Sequence, residues 1–195
     1  MNILCKSLVA LSLFISVASI AAEPAKRIVA LSPHAVEMLY AIGAGESIVA
    51  TTDHADYPAA ALEIPRIGGY HGIQIERILE LNPDLVVVWG GGNKAEDIQR
   101  IRELGFEVFD STPKTLIAVA DELEALGELT GNQAQAKIAA DAYRQQLAVV
   151  KQKNLAKPEV KVFYQLWSTP LMTVAEGSWI QQIIAVCHGD NVFVD

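Results

Sequence analysis

The chain has 195 residues, with 15 Lys and Arg against 23 Asp and Glu, a formal net charge of −8. That balance excludes nucleic acid as the main partner, because phosphate binding needs a basic face, and it excludes a polybasic membrane anchor. A hydrophobic content of 51% excludes a disordered chain, and the length allows one large domain or two small ones.

Residues 1–22 read MNILCKSLVALSLFISVASIAA. Lys6 gives a positive start, Leu8 to Ile20 is apolar apart from three serines, and small residues lead into Glu23-Pro24. This pattern predicts a secretory signal peptide cleaved after Ala21 or Ala22. The apolar run is too short for a membrane span. Cys5 would leave with the leader, and Cys187 would be the only cysteine of the mature chain. An odd cysteine in an exported protein wants a partner or is buried and inert.

The mature sequence alternates β-like runs with helical patterns. Arg27–Leu31 reads as a strand, and Ser32-Pro33 caps and opens a helix over 33–42 that ends at Gly43. Ile48–Thr51 reads as a second strand, and 53–72, rich in Pro and Gly, as a loop. Ile75–Leu81 is a short helix stopped by Asn82-Pro83. Leu85–Trp89 is the continuous apolar run of a strand buried on both faces. Gly90-Gly91-Gly92 breaks it, a helix follows over 93–103, Glu107–Phe109 is a fourth strand, and Thr112-Pro113 is expected to open the next helix. Such alternation predicts a parallel, doubly wound α/β sheet.

From 114 the strand signal stops. Apolar residues recur at helical spacing through Leu116, Ala120, Leu123 and Leu126, and again through Ala139, Tyr143, Leu147 and Val150. The second stretch, 132–154, reads as one long helix. Val160–Leu166 and Leu171–Val174 are β-like, and Ser178 with Gln181 forms a capping box for a helix over 179–187. The predicted organisation is a leader (1–22), an N-terminal α/β lobe (23–130), a connecting helix (131–156) and the start of a second α/β lobe (157–195). With two or three strands, that second lobe is too small for its own core, and the expectation is a piece of a longer protein.

The candidate chemistry gathers at strand ends. The glycine run matches neither phosphate-loop pattern, so it reads as a tight turn at the sheet edge where open α/β sheets bind ligands. Trp89 ends a buried strand and suits either core packing or a ligand. Tyr70, between Gly69 and His71-Gly72, favours ligand contact. His34, His54 and His71 fall near the same edge, with Asp53 and Asp56 beside His54, but lack metal-ligand spacing, so no metal site is read. No nucleophile elbow or HExxH motif is present and no enzyme is expected. Glu76, in the first turn of its helix, either complements the helix dipole or docks on a basic partner.

The blocks Arg27-Ile-Val-Ala-Leu-Ser-Pro33 with Glu37, Asp56-Tyr57-Pro58, Ile75-Glu76-Arg77-Ile78, Asn82-Pro83-Asp84-Leu85-Val86 and Trp89 with Gly91-Gly92-Asn93 resemble the periplasmic substrate-binding proteins of ABC importers for vitamin B12. The Ser178-Trp179-Ile180-Gln181 and Val186–Phe193 blocks extend the match, which covers about residues 26–195. The resemblance implies two α/β lobes joined by one long helix and an apolar grip on cobalamin between them, with no cofactor and no chemistry. By position it implies ligand contacts from Tyr70, Trp89, His34, His54 and Met172, and a permease contact from Glu76. It further implies a disulfide from Cys187 to a cysteine beyond Asp195, a periplasmic location, and a monomer when free. His54 stands where an aromatic residue is expected, and Tyr70 where relatives carry Trp. A haem or siderophore binder of the same architecture, taking an iron ligand from His54, His71 or Tyr70, is the nearest alternative. A periplasmic metal-dependent enzyme is the alternative of another class.

Overall fold

A computed structural model describes residues 23–193; the leader lies outside them. Strands β1 (Ile28–Ala30), β2 (Ile48–Thr51), β5 (Leu85–Val88) and β6 (Val108–Asp110) form one parallel sheet in the order β2-β1-β5-β6. Between them run α1 (Pro33–Ala41), the short antiparallel pair β3 (Gly68–Gly69) and β4 (Gly72–Ile73), α2 (Ile75–Leu81) and α3 (Ala95–Glu103).

The sheet is buried on both faces because successive side chains alternate across it. Ile28, Ala30, Leu85 and Val87 meet α1 and the two helices that follow β6, α4 (Ala118–Thr130) and α5 (Gln133–Leu155). Val29, Val86 and Val88 meet Ile78 of α2 and Ile98 and Ile101 of α3 on the opposite face. Beyond α5 come β7 (Val160–Val162), the hairpin β8 (Trp167–Ser168) and β9 (Leu171–Met172), α6 (Trp179–Val186) and β10 (Gly189–Asn191). β7 and β10 pair in parallel as a second, two-stranded sheet.

Five local expectations are corrected. Thr112-Pro113 does not open a helix; α4 starts at Ala118. The Thr112 hydroxyl is engaged elsewhere, donating to Asp110 Oδ1 at 2.5 Å and accepting from Gly90 N–H at 3.0 Å. Thr115 Oγ1 takes the Ala118 N–H instead. The capping box of α6 is half formed: Ser178 Oγ accepts from Gln181 N–H at 3.0 Å, but Gln181 Oε1 is buried without a partner among the described residues. The expected strand Val160–Leu166 stops at Val162, and the run 171–174 shortens to one arm of the β8–β9 hairpin. The expected loop 53–72 holds a 3₁₀ turn, Ala59–Glu63, and the Arg66 guanidinium donates to the Ala55, Ala61 and Ile64 carbonyls around it.

Candidate functional site

The chain crosses from β2 on one side of β1 to β5 on the other, so the switch point of the sheet lies between the carboxyl ends of β1 and β5. A cavity of about 460 Å³ borders that point. Helix α1 supplies His34, Glu37 and Met38, which share one face at i, i+3 and i+4. Its start is fixed by Ser32 Oγ, which accepts from Ala35 N–H at 3.4 Å, and by Pro33. Trp89 enters directly after β5, and Thr112 and Pro113 after β6. Val119, Tyr143 and Trp179 close the cavity from α4, α5 and α6.

Trp89 is held by the residues that follow it. Asn93 Oδ1 accepts from Trp89 N–H at 2.8 Å, while Asn93 Nδ2 donates to the Leu31 carbonyl at 2.8 Å, tying the ends of β5 and β1 together. The indole folds back over the glycine run so closely that a Cβ on Gly92 would stand 2.0 Å from Trp89 Cε3. The glycines are therefore a platform for the ring. The indole and the His34 ring meet in a T-shaped arrangement, with ring centroids 5.6 Å apart at 86°. Trp89 remains 38% exposed.

Trp179 reaches the cavity because α6 is pinned to the segment before α4. Gln182 Nε2 donates to the Lys114 carbonyl at 2.9 Å, and Gln182 Oε1 accepts from Leu116 N–H at 3.0 Å. Among the described lining residues Glu37 carries the only full charge at neutral pH, and no Lys or Arg lines the wall.

Burial lowers the pKa of His34 from its ordinary 6.5, with its hydrogen bond to Ser111 and the Glu37 charge opposing. Burial raises that of Glu122, against the Ser111 hydrogen bond. An unfolded His34 binds a proton as the pH falls through about 6.5 while the folded one stays neutral to lower pH. The stability contribution is therefore complete above that value and is lost as pH falls towards the folded pKa. Glu122 runs the other way: its folded carboxyl holds a proton longer, so its penalty grows as pH rises through its ordinary 4.5. Urea unfolding at pH 7.5 and 5.5 is expected to show wild type losing stability relative to His34→Phe on acidification; equal losses would contradict this.

The other sequence-predicted residues lie outside this cavity lining. His54 is exposed with a left-handed φ of 67°. Tyr70 is 76% exposed and stacks on His71 with ring centroids 3.8 Å apart. Met172, on β9, and Glu76, in the first turn of α2, are exposed. Cys187 follows α6 as an exposed free thiol among the described residues. No group of three or more metal-ligating side chains converges among the described residues, and none of their helices is long and apolar enough to cross a membrane. Sequence reading missed Tyr143, whose helical spacing marked it as a packing residue, and Trp179, to which it gave no role. It also missed Ser111 and Glu122, which carry no motif.

The chain belongs to the periplasmic binding protein family, whose model matches residues 28–195. It is 40% identical over 172 residues to the vitamin B12-binding protein of Vibrio cholerae serotype O1, covering 88% of this chain and 62% of that relative. It spans, therefore, somewhat under two thirds of that relative's length. The crystal structure of the periplasmic vitamin B12 binding protein BtuF of Vibrio cholerae matches with a TM-score of 0.82 at 40% identity, covering 88% of this chain and 68% of that one. The apo periplasmic heme-binding protein RhuT from Roseiflexus sp. RS-1 matches with a TM-score of 0.74 at 23% identity, covering 85% of this chain and 65% of that one, a likeness of fold alone.

Proposed function

We propose that this member of the periplasmic binding protein family captures cobalamin at the switch-point cleft and presents it to an inner-membrane ABC importer. The observation that carries the ligand class is the charge of the cleft. Its wall is aromatic and apolar, with Glu37 as its one full charge and no Lys or Arg among the described lining residues. Haem carries propionate carboxylates and ferric siderophores are commonly anionic, so both call for cations here. The neutral carboxamide arms of a corrin do not. The vitamin B12-binding protein of Vibrio cholerae, matched both in sequence and in crystal structure, supports the same choice.

In this reading Trp89 and His34 form the inner contact. Tyr70, His54 and Met172 are outer contacts at the rim, where their exposure leaves them available. Glu76 docks on basic permease residues, residues 1–22 direct export to the periplasm, Cys187 pairs in a disulfide, and the free protein is a monomer. The protein binds and releases its ligand without chemistry. Trp89 and Trp179 both border the cleft, so tryptophan emission reports occupancy. Saturable one-to-one quenching by cyanocobalamin, with a weak response to haemin, is expected. A haemin Soret shift without a cobalamin response would overturn the reading.

A further inference from the structure

Behind the cleft wall stands a chain of polar groups that gripping an apolar ring does not require. His34 Nε2 lies 3.1 Å from the Ser111 carbonyl oxygen and 3.2 Å from Ser111 Oγ. Ser111 is fully buried, and its hydroxyl lies 2.6 Å from Glu122 Oε2. Ser32 Oγ, at 3.4 Å from Nε2, already accepts from Ala35 N–H.

The bond directions follow from what each group can do. A carbonyl only accepts, so Nε2 carries the proton and donates to it. A carboxylate also only accepts, so the Ser111 hydroxyl donates to Glu122 and turns a lone pair to Nε2. Both contacts select the Nε2–H tautomer and leave the lone pair on Nδ1. Nδ1 bonds to no described side chain or carbonyl and is not sealed from solvent, while His34 lines the cleft.

We propose that Ser111 and Glu122 are positioning residues that hold His34 as the neutral Nε2–H imidazole, so that Nδ1 gives the cleft an acceptor selecting a ligand carboxamide N–H over a carboxylate. The choice of ligand rests on the cobalamin reading above. A carboxamide arm donates to Nδ1. A carboxylate at the same point meets the Nδ1 lone pair and the Glu37 charge and has nothing to donate. Burial, which keeps the imidazole neutral, acts in the same direction.

The test has a structural arm and a ligand arm, both on the full chain. Nitrogen NMR of the His34 ring at pH 7.5 is expected to show the Nε2–H tautomer. Glu122→Ala frees the Ser111 hydroxyl to donate to Nε2 and is expected to raise the Nδ1–H fraction, while Glu122→Gln, which still accepts, restores wild-type signals. In equilibrium dialysis, wild type is expected to bind cyanocobalamin roughly tenfold more tightly than at least one of its side-chain monocarboxylic acids. His34→Phe, which keeps a ring but no acceptor, is expected to lower that ratio to about threefold, the part the Glu37 charge retains. Wild-type tautomer signals in Glu122→Ala, or an unchanged ratio in His34→Phe, would overturn this inference while leaving cobalamin capture standing. Failure of wild type to bind cyanocobalamin would overturn the functional reading and the ligand half of the inference, with the tautomer half decided by NMR.

Discussion

Trp89→Ala is expected to weaken cobalamin binding by about 2–3 kcal/mol, or roughly 30- to 150-fold. A large, rigid aromatic at the centre of an apolar site behaves as an anchor, and this one is already in place before ligand arrives. Asn93 holds its backbone, the glycine run supports the ring and His34 meets it in a T-shaped contact. Preorganisation of this kind spares the ordering cost of binding. The same geometry makes a second substitution informative. A methyl group on Gly92 would overlap the indole carbons, so Gly92→Ala must displace the ring without removing it. About a tenfold loss of affinity is expected, with thermal stability little changed. Dialysis of the two variants beside wild type checks both. If each stays within about twofold of wild type, Trp89 is a packing residue and the site lies elsewhere.

Gly127→Val is expected to destabilise the fold by about 3 kcal/mol, at the upper end of ordinary overpacking. Helices α4 and α5 approach so closely that a Cβ on Gly127 would stand 2.3 Å from Ala136 Cβ. Ala136 and Ala140 present the facing surface of α5, and Leu123 and Leu126 of α4 sit in the same core. The ion pairs of Arg144 with Asp121 and Glu124, at 2.8 and 2.7 Å, lie on the partly exposed margin of this contact. Exposed pairs of this kind contribute little and do not offset parted helices. Separation of α5 from α4 also carries Tyr143 away from the cleft, so affinity should fall with stability. Urea unfolding measures the first effect. A change within about 0.5 kcal/mol, the range of a neutral surface substitution, would show that the helix pair tolerates the extra volume.

The parallel sheet was legible because its strands are short apolar runs punctuated by caps and glycines, and both faces are buried. Leu85–Val88 illustrates this: a short, Val-rich apolar run between Asn82-Pro83 and the glycines reads as a strand, and all four residues are buried. His34, in the first turn of the helix after β1, and Trp89, directly after β5, stand at the sheet edge to which the sequence pointed, and both line the cavity. The failures have a common cause, since a side chain with two possible partners is not resolved by spacing. Thr112 had the sequence of a helix cap, but its hydroxyl bridges the ends of β5 and β6. Gln181 had the spacing of a capping box but makes only its backbone half. Tyr143 and Trp179 sit on helices where an aromatic residue reads as packing, and only the placement of α5 and α6 turns them to the cleft. Ser111 and Glu122 lie eleven positions apart and meet because the chain turns between β6 and α4.

The central claim is that a preformed aromatic cleft, with no Lys or Arg among its described lining residues, selects cobalamin. Competition dialysis with cyanocobalamin and haemin over the same protein tests it most directly. The account predicts saturable retention of cyanocobalamin at one molecule per chain, unaffected by an equal concentration of haemin and reduced by Trp89→Ala. Retention of haemin in preference to cyanocobalamin, or cobalamin retention indifferent to Trp89→Ala, would contradict it.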